Sequence, residues 1–193
     1  MHRLSTSFIL GYHGCDIDVA EALLAGEPFK KSSNDYDWLG PGVYFWEANP
    51  QRGYDFANEA AKRKGSKIKH PTVIGAVIDL GLCLDITTLG AIGVVKQAYQ
   101  ALREQMQGSG NQLPVNGKGL LLRHLDCAVI KTLHDILKTN DEAFDTVRGV
   151  FIEGEPLYLN SGFNDKTHTQ ISVCNLACIK GVFRVSRDQF QIG

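Results

Sequence analysis

Leu39-Gly40-Pro41-Gly42-Val43-Tyr44-Phe45-Trp46 is the stretch on which the reading of the fold turns. A glycine-proline-glycine turn feeds directly into β-branched and aromatic residues, the composition of a strand. Pro41 fixes its own φ, while Gly40 and Gly42 leave the backbone free on either side, so the turn can come close to something flat or charged. Neighbours on a strand alternate, so Tyr44 and Trp46 share one side and Phe45 takes the other. One side is expected to face a core and the other a cleft. The plain alternative is a buried strand after a loop, the commoner meaning of Gly-x-Gly-x-Tyr-Phe on its own.

Upstream, Phe8-Ile9-Leu10-Gly11-Tyr12-His13-Gly14 reads as a strand ending in a polar ring and a glycine, and Asp16 to Gly26 as a helix with Asp at its start and Gly at its stop. A lone His at a strand end is more often a hydrogen-bonded structural residue than a ligand contact. Glu27 to Trp38 is a polar loop of lid-like composition. Downstream, Asn49-Pro50 opens a helix that runs to Lys64-Gly65. Its tail, Lys62 to Lys69, carries five cations in eight residues, which complement the helix dipole or, less commonly, meet an acidic target.

Thr72 to Thr87 is a buried strand region in which Gly75 and Gly81 suggest a bend or bulge. Leu89 to Met106 and Leu121 to Lys138 have helical periodicity. Strands follow at 147–152, 169–174 and 179–185, with a long loop, Glu153 to His168, between the first two. The expectation is one α+β domain over residues 1–193 with two facing, largely antiparallel sheets. Helices are expected at about 16–26, 50–64, 89–107 and 121–138, and residues 89–138 form a helical insertion.

The totals narrow the class. A chain of 193 residues can bury a real core, and 20 Lys plus Arg against 21 Asp plus Glu give a net charge of −1, which does not suit a protein that coats nucleic acid or a membrane surface. Cys15, Cys83, Cys127, Cys174 and Cys178 contain no Cys-x-x-Cys and suggest buried thiols in a reducing compartment, with no metal site. Neither a signal core nor a run of membrane-spanning length is seen, so a cytoplasmic protein without membrane contact is expected.

Taken in order, Tyr12-His13-Gly14, Gly40-Pro41-Gly42-Val43-Tyr44-Phe45, the strand around Gly75 to Gly81 and the final strand pair resemble the ADP-ribosyltransferase superfamily, in the poly(ADP-ribose) polymerase and diphtheria-toxin-like branch. The resemblance runs from about Phe8 to Val185 and is poorest over Leu89 to Lys138. It implies an ADP-ribosyltransferase-like split β-sandwich that binds NAD as substrate. His13 would then hydrogen-bond a ribose hydroxyl, the Gly14 backbone would grip the nicotinamide carboxamide, and Tyr44 would stack on the nicotinamide ring. Tyr54 or Phe56 would supply a second aromatic face.

One position departs from the family. Gln170 stands where the resemblance places a catalytic glutamate at the head of a late strand. A Gln can hold a ribose hydroxyl, yet it cannot stabilise a developing cation with charge or take a proton. Loss of one such electrostatic contact costs about 10²–10³ in rate. Glu47, Glu153 or Glu155 could supply the carboxylate, though each is also readable as a surface glutamate.

The reading that follows is an NAD-dependent mono-ADP-ribosyltransferase of toxin or bacterial-defence type. It would modify a macromolecular acceptor (protein, RNA or DNA) and could be paired with an antitoxin or immunity protein. A catalytically silent module that binds NAD or ADP-ribose is the alternative. An RNA 2′-phosphotransferase ranks last, because the paired arginines and histidines it relies on are not found in the corresponding places.

Overall fold

The computed structural model describes residues 8–118, 122–138 and 143–191. Its strands are β1 (Phe8–Asp16), β2 (Val43–Glu47), β3 (Pro71–Asp79), β4 (Cys83–Asp85), β5 (Thr146–Phe151), β6 (His168–Val173) and β7 (Ile179–Arg184). The α-helices are α1 (Ile17–Leu24), α2 (Pro50–Ala61), α3 (Leu89–Gly108) and α4 (His124–Lys138). Local chemistry sets the helix starts. The side chains of Asp16, Asn49 and Thr88 each accept a hydrogen bond from a first-turn backbone N–H of the helix that follows, and Pro50 occupies a first-turn position where its missing N–H costs nothing. Residues 119–121, which include the expected start of the last helix at Leu121, lie outside the described residues.

All seven strands join one mixed sheet in the order β4-β5-β6-β2-β1-β3-β7, antiparallel except for the parallel β4-β5 pair. The two facing sheets expected from strand clusters at both ends of the chain are therefore one sheet, because β2 pairs with β1 on one edge and with β6 on the other. Its middle is thin, however. Strands β1 and β2 pair at Gly11↔Glu47 and Tyr12↔Trp46, after which β1 continues along β3 as far as Asp16↔Pro71 while β2 continues along β6 as far as Val43↔Val173. The sheet thus parts along a seam between the His13-Gly14 end of β1 and the Val43-Tyr44-Phe45 start of β2.

One row of paired residues crosses the closed end of this seam: Gly149, Gln170, Trp46, Tyr12, Gly75 and Phe183, from β5 to β7. Large and small residues share space along the row. The Phe183 ring covers Gly75 where a Cβ would stand, and Trp38 lies over Gly149, 2.8 Å from an ideal Cβ. Gly75 is therefore a slot for an aromatic ring, whereas the chain turns at Gly81, whose φ of +57° suits glycine.

Apolar side chains on one sheet face, Phe45, Ile74, Ile78 and Ile171 among them, pack with Ala20 and Leu23 of α1. On the other face Leu102 of α3 and Ile130 and Leu133 of α4 pack with Leu39, Leu84 and Val147, while Tyr54 of α2 packs with Tyr12, Val73 and Phe190. The segment expected as an insertion carries the chain from β4 to its parallel neighbour β5, a connection that needs a crossover of a dozen or more residues.

Candidate functional site

The residues singled out by sequence gather around the seam but do not share one cleft. His13 lies on β1 and Tyr44 on β2, as adjacent strands, and the His13 Nδ1–H donates to the Tyr44 carbonyl across the seam at 2.9 Å. The His13 ring packs against Phe29 and Phe45, both at 5.7 Å between centroids, on the α1 side. The Tyr44 ring turns to the other side, among the α4 contacts. Its hydroxyl donates to the Gly40 carbonyl at 2.8 Å and accepts from the Leu39 N–H at 3.0 Å. Strand alternation is the cause, since His13 stands opposite Phe45 once the Tyr12↔Trp46 pair is extended by one residue. Burial holds the His13 imidazole below its usual pKa, and burial likewise pushes the Tyr44 phenol well up, so both rings are neutral near pH 7.

Gly14 sits under α2. A Cβ there would strike the Gly53 carbonyl, so the missing side chain lets helix and strand backbones touch. Of the two aromatics proposed for the second stacking face, Tyr54 is buried against Phe190, at 4.7 Å, while half-buried Phe56 lies against Trp46 at 4.8 Å.

Gln170 faces the same side as Trp46 and His168, and its Oε1 accepts from the Trp38 indole N–H at 2.6 Å. Around it runs a belt that no sequence argument had assembled. Trp38 meets Phe151 at 5.2 Å, Phe151 stacks on His168 at 5.5 Å, and His168 meets Trp46 at 6.2 Å. Guanidinium groups are interleaved with the rings: Arg123 lies over Trp38 and Phe151, Arg52 beside Trp46 and Arg63 over Phe56. The signal available in sequence was the two-residue spacing of His168 and Gln170 on one strand, together with an arginine on the apolar face of the helix after Asn49-Pro50.

The three candidate carboxylates separate cleanly. Glu47 lies on the α1 side, where the Arg148 Nε donates to it at 2.6 Å and Asp85 takes a second guanidinium nitrogen at 3.0 Å. Glu155 is exposed in the long loop. Glu153 lies on the Gln170 side, ion-paired with Arg52 at 2.8 Å. Among the described residues no group of three His, Cys, Asp or Glu side chains could hold a metal ion, and no helix is long and apolar enough to cross a membrane. Comparison with protein-family models, curated proteins and solved structures finds no match to this chain.

Proposed function

We propose that the protein is an NAD-dependent mono-ADP-ribosyltransferase acting on a macromolecular acceptor, with an ADP-ribosyltransferase-like organisation of the sheet. The observation that carries this reading is the adjacency of β6, β2 and β1 at the centre of the sheet. These three strands bear Gln170, the Gly-x-Gly-x-Tyr-Phe motif and His13-Gly14, the elements on which the resemblance rests, although more than a hundred residues separate the first strand from the last. The Gln170 carboxamide would hold a hydroxyl of the nicotinamide ribose, and the half-buried ring of Trp38 beside it would supply the aromatic surface for nicotinamide. His13 acts in this scheme by position, its ring tying the two lips of the seam together through the Tyr44 carbonyl.

Without an unpaired carboxylate at Gln170, the reaction rests on positioning. Nicotinamide leaves readily because its ring carries the positive charge that cleavage discharges, so correct placement removes much of the remaining barrier. The ion-paired state of Glu47 and Glu153 favours a second reading, the silent NAD-binding module. Release of nicotinamide from NAD decides between them. The transferase reading expects release by the wild type, a loss of about 10²-fold or more in Gln170→Ala, and release retained or diverted to hydrolysis by water in Gln170→Glu. NAD binding by the wild type without release, combined with release by Gln170→Glu, would establish the silent module.

A further inference from the structure

Among the described residues, four buried polar atoms around Trp46 have no hydrogen-bond partner: the Trp46 Nε1, the Arg52 Nε and Nη1, and the His168 Nε2. Their residues are only 3%, 7% and 6% exposed, respectively. Buried donors of this kind are rare, and those on a charged group are the costliest to leave unmade. They are also neighbours, with the Arg52 guanidinium carbon 5.9 Å from the Trp46 ring centroid and the His168 ring 6.2 Å from it.

The cluster is rich in unpaired donors. Arg52 offers one N–H at Nε and two at Nη1, and Trp46 adds one, which makes four unpaired donor hydrogens. The His168 Nδ1–H donates to the Lys166 carbonyl at 2.6 Å, so in the neutral ring Nε2 carries the lone pair. The unpaired Nε–H shares the bidentate edge of the guanidinium with Nη2, so a phosphate that takes this edge must displace the carboxylate now on Nη2, and the His168 lone pair can receive a phosphate proton. Close by, half-buried Phe56 lies tilted against Trp46 at 4.8 Å with Arg63 over its ring, and its exposed part is an apolar surface that a base could use beside the phosphates.

The charge of Arg52 is at present answered from within. Glu153 accepts from Nη2 at 2.8 Å, Glu59 stands 3.6 Å from the same nitrogen, and Lys166 pairs with Glu59 at 3.1 Å. Glu153 and Lys166 bracket the long loop between β5 and β6, so these two ion pairs fasten the loop to α2 beside Arg52. We infer that Arg52, Trp46 and His168 form a binding site for the phosphates of a small nucleotide, held shut by Glu153, whose carboxylate occupies Arg52 until an incoming phosphate displaces it. The site stands whether or not the protein cleaves NAD.

Ordered waters would satisfy the same hydrogens, but they would not compete with Glu153, and that competition is what the experiment reads. Calorimetric titration with ADP, inorganic pyrophosphate, adenosine and a short single-stranded RNA covers the alternatives. ADP and pyrophosphate are expected to bind and adenosine not to. Glu153→Gln removes the competing anion and should tighten ADP binding about tenfold or more. The double variant Arg52→Gln/Glu153→Gln, which leaves neither charge buried alone, should lose it. Should the double variant fail to fold, the Glu153→Gln comparison decides alone. ADP binding no tighter in Glu153→Gln than in the wild type would overturn the proposal, as would adenosine binding as well as ADP. RNA outcompeting ADP would replace it with a nucleic-acid surface.

Discussion

Asp16 serves two neighbours with one carboxylate. One oxygen caps α1 through the Asp18 N–H at 3.0 Å, and the other accepts the His70 and Lys69 backbone N–H groups at 2.9 and 2.6 Å, fastening the start of β3 to the end of β1. The hydrogen bonds from His70, Lys69 and Asp18 hold its carboxyl at about 2, below the ordinary carboxylate range. Because the folded group is the more acidic, its contribution to stability is complete above about pH 4 and is lost as the pH falls toward 2. Urea midpoints measured from pH 5 to pH 2 should fall more steeply in the wild type than in Asp16→Asn; parallel curves would show that Asp16 does not govern the acid limb. Gly14 offers a second test. An added methyl would meet the Gly53 carbonyl, which belongs to backbone and cannot swing aside, so Gly14→Ala should cost about 1–3 kcal/mol in chemical denaturation.

At the level of elements, α4 holds the glycine-proline-glycine turn in place. Ile130 is buried, and its Cγ2 lies 2.7 Å from where a Cβ on Gly40 would stand, at a backbone φ of +77° that only glycine adopts easily. Ile130→Ala should therefore destabilise the fold by about 2–5 kcal/mol and Ile130→Val by about 0.5–1.5 kcal/mol, and an NMR spectrum of the alanine variant should show its largest shifts at Leu39 to Tyr44. A change confined to α4 would mean that the turn supports itself. The helices themselves were legible in the sequence because Asp16, Asn49-Pro50 and Thr88 announce their starts locally. The seam was not, since nothing in Tyr12-His13-Gly14 says that pairing with β2 ends there; the partners that pull the strands apart, β3 and β6, lie far along the chain. For the same reason the candidate site was legible as a set of strands but not as a set of directions. Strand alternation sends the His13 and Tyr44 rings to opposite sides, and Trp38, Arg52 and His168 acquire meaning only when three distant segments meet.

Across the whole molecule, the five cysteines are free thiols, and burial pushes Cys15 up to about 12 and Cys174 up to about 11. Native protein at pH 8 should leave both unlabelled by a thiol reagent that reacts with all five in denaturant, and added reductant should leave the thermal midpoint unchanged. Rapid labelling of Cys174 in the native state would show that its surroundings open readily.

The order of strands in the sheet also sets a timetable for biosynthesis. Once made, β1, β2 and β3 can assemble as β2-β1-β3, but the two outer edges of that trio are covered by β6 and β7, which follow only after α3, α4 and β5 have been synthesised. At ~5–20 residues per second, roughly ten seconds pass between synthesis of β3 and arrival of its cover. For that interval the nascent chain presents two bare strand edges with Val, Ile and Phe beside them, the kind of surface on which aggregation is seeded. Arrested chains ending before His168 are expected to sediment with chaperones or precipitate while the full chain stays in solution, so an early stop codon should cost the cell a sticky intermediate as well as a missing protein.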